Sequence, residues 1–98
     1  MIEVRQSPPF AQWLRGLRDA NAAARILQRI RRMERGNPGD VKPVGGPVME
    51  MRVDYGPGYR VYYMQRGAAL VVLLCGGDKR RQQADIQRAL DMADNWKD

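Results

Sequence analysis

Along the chain the apolar positions switch between a period of two and a period near 3.6, and the switches mark the elements. "IEVRQS" alternates, which predicts a short strand over Ile2–Gln6. Ser7 followed by Pro8 and Pro9 reads as a helix N-cap with prolines in the first turn. Phe10, Trp13, Leu14 and Leu17 at helical spacing carry that helix to about Arg18. Asp19 caps a second helix, Ala20 to Arg35, with an apolar stripe of Ala23, Ile26, Leu27, Ile30 and Met33. Arg25, Arg29 and Arg32 form a basic row away from the stripe, expected to be a solvated face. Gly36, Pro38 and Gly39 end the helix, and a loop follows to Pro47.

"VMEMRVDY" alternates again, with Met49, Met51, Val53 and Tyr55 on one face and Glu50, Arg52 and Asp54 on the other. After "GPG", "YRVYYMQ" is the next strand. Arg66-Gly67 reads as a two-residue turn, and "ALVVLLC" as a central strand, apolar on both faces. "GGD" breaks it, with Asp78 capping a last helix, Lys79 to Trp96, whose buried stripe is Ile86, Ala89, Leu90 and Ala93. The predicted class is therefore α+β in one domain, residues 1–98. A small antiparallel sheet in β-α-α-β-β-β-α order carries a helical hairpin on one face.

Pairing the strands across these turns sets Asp54 opposite Arg60, Arg52 opposite Tyr62, Arg60 opposite Leu73 and Tyr62 opposite Val71. One face then carries Tyr59, Val61, Tyr63, Leu70, Val72 and Leu74 with the apolar side of "VMEMRVDY". The other carries Glu50, Arg52, Asp54, Arg60, Tyr62 and Met64 beside Val71, Leu73 and Cys75. "GGDK" returns to the Arg60 end of the sheet. Arg52, Arg60, Lys79, Arg80 and Tyr62 thus line one concave electropositive face. Lys79 lies at the positive end of a helix dipole, where a cation is locally unfavourable. The plainer account pairs Arg60 with Asp54 and Arg52 with Glu50 as surface ion pairs. Gly76-Gly77 is a weak phosphate-loop signal and equally a plain strand-to-helix turn.

Charge sharpens this picture. The formal net charge is +6, and fourteen arginines outnumber three lysines. Arginine's planar fork matches phosphate geometry, so a polyanionic partner is expected. With no histidine and one cysteine, the composition argues against a transition-metal site or an internal disulfide. Cys75 sits in an apolar run and reads as a small core residue. No stretch approaches the length of a membrane span and "MIEVRQSPPF" lacks a signal sequence, so a cytoplasmic protein without cofactor is expected.

"GNPGDVKPVGGPVMEMRVDYGPGYRVYY" and "LLCGGDKRRQQADIQRALDMA" together resemble the HigB-like addiction-module killer proteins of the RelE/ParE toxin superfamily. The resemblance runs through essentially the whole chain. It implies a toxin of a bacterial type II toxin–antitoxin system, in most branches an mRNA endoribonuclease acting at the ribosome. Its partners would be mRNA, the ribosome and a cognate antitoxin of helix-turn-helix type in a hetero-oligomer. By the same resemblance Arg60 of "GYRVYY" matches the active-site arginine, Arg52 and Lys79 the other basic positions, and Lys42 a loop lysine. RNA carries its own nucleophile, so the chemistry asks for cations at the phosphorane and one proton acceptor. The candidate catalytic residues are Arg60, Lys79, Arg52 and Tyr62, and the candidate RNA-binding residues Lys42, Arg80, Arg81 and Tyr63. The base is open among Lys42, Lys79 and Tyr62. The chain departs from RelE, which has a tyrosine near its C-terminus, and from HigB proteins that end on a histidine; its last segment has neither. Two alternatives stand beside this reading: a ParE-like gyrase poison without RNase activity, and a non-catalytic nucleic-acid-binding domain.

Overall fold

The structure, a computed structural model, describes residues 1–97. Five strands and three helices follow in the order β1 (Glu3–Gln6), α1 (Pro8–Arg15), α2 (Ala20–Glu34), β2 (Val41–Gly45), β3 (Val48–Val53), β4 (Tyr59–Arg66), β5 (Leu70–Asp78) and α3 (Gln82–Asp94). The class is α+β, as the periodicity requires. The sheet order is β1-β5-β4-β3-β2. The β2–β5 strands are antiparallel, and β1 adds to the far edge parallel to β5, making the sheet mixed. Among the described residues, no helix is long and apolar enough to cross a membrane.

Local chemistry sets the helix starts. The buried Ser7 hydroxyl accepts from the Phe10 amide at 3.1 Å and donates to the Leu74 carbonyl at 2.6 Å, so one cap also docks α1 on β5. Asp19 accepts from the amides of Asn21 and Ala22. The buried stripe of α2 is Ala22, Ile26, Ile30 and Met33, with Leu27 exposed instead of buried. The basic row is not simply solvated. Arg25 stacks over the Tyr55 ring at 4.6 Å, and Arg29 donates to the carbonyls of Pro38, Asp40 and Arg52.

Two departures from the sequence reading shape the site. The stretch expected as a loop forms β2, an edge strand on β3. Pro43 and Gly45 read as breakers, yet an edge strand tolerates them because one side of it has no ladder to fill. The second is the path of β5. It does not end at Cys75 but runs through Gly76 and Gly77 to Asp78. A Cβ on Gly76 would overlap the Trp13 indole, and one on Gly77 the Asp85 carboxylate, so these glycines admit close packing on both faces. They do not form a phosphate loop at a helix start.

Register follows from the turns. Between β3 and β4 the loop is five residues long, so Arg52 pairs with Arg60, Glu50 with Tyr62 and Val53 with Tyr59. That is two positions from the expected pairing, and an even shift leaves every side chain on its face. Between β4 and β5 the loop is Gly67-Ala68-Ala69, with Gly67 left-handed at φ 69°, and Arg66 pairs with Leu70. A bulge beside Tyr62 and Tyr63 then re-phases the strand. Val71 and Leu73 therefore lie under the α1–α2 hairpin, while Val72 and Leu74 lie on the other face, the reverse of the expectation. That other face is not open. α3 covers it, adding Ala89 to a buried cluster with Val48, Tyr62, Met64, Val72, Leu74 and Cys75.

A cationic cleft at the end of the sheet

The turn between β3 and β4 and the segment after β5 meet at one end of the sheet. Gly58, left-handed at φ 82°, presents its carbonyl to the Lys79 amide at 2.9 Å and to Arg60 Nη1 at 3.3 Å. Lys79 opens a 3-10 turn, Lys79–Arg81, capped by Asp78, whose carboxylate accepts from the Arg80 amide at 3.0 Å. Between turn and strands lies a cleft of about 390 Å³ lined by Arg52, Arg60, Lys79, Tyr59, Asp40 and Asp54, among others.

Three of the four candidate catalytic residues meet there. Arg52 and Arg60 are direct cross-strand partners, an arrangement of like charges that costs stability. Arg52, about half exposed, is met by Asp40, at 3.2 Å from Nε. Among the described residues, the Lys79 ammonium has no carboxylate within ion-pair range. The surface pairs of the plainer account, Arg60 with Asp54 and Arg52 with Glu50, do not form: Arg60 meets Glu50, and Arg52 meets Asp40.

Tyr62, the fourth, is fully buried beneath α3 and donates its hydroxyl to Glu50 at 3.0 Å. Burial pushes its phenol up from the ordinary value, and the Glu50 hydrogen bond and the Glu50 and Asp85 charges push the same way. It is held as a neutral donor, unfit to accept a proton. Tyr63 is buried on the opposite face in the hairpin core and does not reach the cleft. Lys42 stands on β2, half exposed, with Nζ 3.8 Å from Glu50. Arg80 is exposed and tied to Asp78 at 3.0 Å, which holds the Asp78 carboxyl below the usual carboxylate range. Arg81 is exposed, with its Nε 4.0 Å from Asp85. These last two follow Lys79 in the 3-10 turn and do not line the cleft.

Two buried acids escaped the sequence reading. Glu50 has no exposed surface, and Asp85 lies against Gly77 with its carboxyl pushed up by burial. The one signal for Glu50 was a lone charge inside "VMEM", which a solvent-facing strand position explains equally well. Cys75 is buried beside Asp85, and burial raises its thiol to about 11.

Comparison with known proteins adds two findings. A family model described as "Phage derived protein Gp49-like (DUF891)" matches residues 12–97. An uncharacterized protein of Haemophilus influenzae is 44% identical over 88 residues, spanning 90% of this chain and 89% of its own length.

Proposed function

The chain belongs to the phage-derived Gp49-like family, a family associated with addiction-module toxins, and on that footing we propose that it is the toxin of a type II toxin–antitoxin system that cleaves mRNA at the ribosome. The observation that carries this reading is the meeting of Arg52, Arg60 and Lys79 in one cleft, with the two arginines directly opposite each other. Like charges held together at the mouth of a groove cost folding free energy, and a bound phosphate would offset that cost.

In the reaction, the ribose 2′-oxygen attacks the adjacent phosphorus and the bond from phosphorus to the 5′-oxygen breaks. The products are a 2′,3′-cyclic phosphate and a 5′-hydroxyl. The 2′-hydroxyl proton passes to a base, and the departing 5′-oxygen takes up a proton. Arg60 and Lys79 stabilise the charge that develops on the phosphorane oxygens. Arg52 positions the neighbouring phosphate, a role suited to its more exposed place. With Tyr62 withdrawn and Lys79 engaged as a cation on the phosphorane, Lys42 is the remaining base candidate. No step asks for a metal, so cutting should persist in EDTA on a minimal RNA substrate. The net charge of +6 suits an acidic antitoxin surface, bound in a salt-sensitive way.

The test is induction of the chain in a bacterial host with 5′-end mapping of mRNA, alongside a gyrase supercoiling assay. New 5′ ends within coding regions and unaffected supercoiling are expected. Intact mRNA with inhibited supercoiling would move the protein to the gyrase-poison branch.

A further inference from the structure

One of the cleft cations, Arg60, rests on a residue that does not itself line the cleft. Four groups from three elements, β2, β4 and α3, converge on the buried Glu50 carboxylate. Tyr62 Oη and Gln82 Nε2 donate to Oε2, each at 3.0 Å. Arg60 Nε stands 3.8 Å from Oε2, and Lys42 Nζ 3.8 Å from Oε1. Gln82 is the first residue of α3 and follows the Lys79–Arg81 turn directly.

The distances matter. A structural ion pair of arginine and carboxylate closes to hydrogen-bond range and engages the guanidinium as a fork. Here Arg60 Nε and Glu50 Oε1 are both buried without a hydrogen-bond partner. Glu50 therefore attracts the guanidinium without consuming its donors. Two cations around one carboxylate also leave the cluster with a surplus positive charge. Without the anion, Arg60 would be repelled by Arg52, its cross-strand partner, and by Lys42.

We infer that Glu50 is the positioning residue of the cleft. It sets the Arg60 guanidinium in the wall of the cleft and, through Gln82, fixes the turn that carries Lys79. The positioning stands on geometry alone, whereas its consequence for cleavage rests on the RNase reading above.

Glu50→Gln keeps the shape and an acceptor for Tyr62 but removes the charge. Two readouts decide the matter. The first is the nitrogen-15 relaxation of the arginine Nε–H groups: the Arg60 group should be ordered in the wild type and mobile in Glu50→Gln. Unchanged order in the variant would overturn the inference. The second is mRNA cleavage in a cycle with Arg60→Ala. Glu50→Gln should lower kcat at least about tenfold in the wild-type background with KM little changed, and less than about twofold in the Arg60→Ala background. A structural role would give the same factor in both backgrounds, and that result would also overturn it. A wild type that cuts no RNA defeats the RNase reading, while the relaxation arm still decides the positioning. Should Glu50→Gln not fold, Glu50→Asp, which draws the charge back by one methylene, carries the same two readouts.

Discussion

The two faces of the sheet follow different rules. Under the α1–α2 hairpin, Met51, Val53, Val61, Val71 and Leu73 meet Phe10, Ile26, Ile30 and Met33, and among the described residues no carboxylate is buried there. Under α3, the apolar set of Tyr62, Val72, Leu74 and Cys75 shares its space with the buried carboxyl groups of Glu50 and Asp85. Apolar burial is non-directional and supplies stability. Buried polar groups are costly unless partnered, and where they are partnered they fix orientation. The hairpin face holds the molecule together, and the α3 face gives up stability to hold Arg60 and Lys79 in place.

The sharpest way to break this contrast is to empty the hairpin face. Phe10→Ala should lower unfolding free energy by about 3–5 kcal/mol, since Phe10 is fully buried at the centre of that core. Urea denaturation measures it, and a loss below about 1 kcal/mol would mean that stability resides elsewhere. Next come the two glycines of β5, one facing each side. Gly76→Ala drives a methyl into the rigid Trp13 indole and should cost about 1–3 kcal/mol. Gly77→Ala meets first the Asp85 carboxylate, the end of a side chain that can turn away. It should cost less, and Asp85→Ala in the same chain should restore part of the loss.

On the polar face, Tyr62→Phe removes one donor from Glu50 and should cost about 1–3 kcal/mol, with cleavage per folded molecule retained. A loss of cleavage as large as that of Arg60→Ala would return Tyr62 to the chemistry. The pH dependence acts on both faces, because burial raises the phenols of Tyr63 under the hairpin and of Tyr62 under α3. A phenol whose folded pKa is raised contributes stability that is complete below its unfolded value, about 10, and is lost as pH rises above it. The Cys75 thiol, raised to about 11 in the fold, acts in the same direction from its ordinary range upward. Urea midpoints should therefore fall from about pH 9 onward, and Tyr62→Phe should flatten the part above about pH 10. The smallest effect is expected at the rim. Asp40→Ala breaks an exposed pair with Arg52 and should change stability by only about 0–1 kcal/mol.

The sequence made the hairpin face legible because its signals are local. Ser7 and Asp19 cap the helices they were expected to cap, and Ile26, Ile30 and Met33 hold the expected stripe. The convergence of Arg52 with Arg60 was legible for a less obvious reason: the β3–β4 register differed by two, which preserves facing. The β5 register differed by an odd count, through a three-residue loop and a bulge, and so Val71 and Val72 exchanged faces. Neither device has a strong sequence signal. Pro43 and Gly45 concealed β2 because the same residues mark loops. Glu50 was missed because periodicity places it on the polar side of a strand but does not tell that α3 will cover that side.

The central claim is that Arg60 acts on a phosphate in this cleft and is not merely one member of a buried ion pair. The most direct test is mRNA cleavage by Arg60→Ala against wild type, compared at equal amounts of folded protein as judged by thermal unfolding. Glu50 keeps Lys42, Tyr62 and Gln82 around it, so the variant should fold. Cleavage should fall about 100- to 1,000-fold, and Arg60→Lys should restore little of it, because an ammonium cannot replace the guanidinium fork. Undiminished cleavage by folded Arg60→Ala would contradict the account.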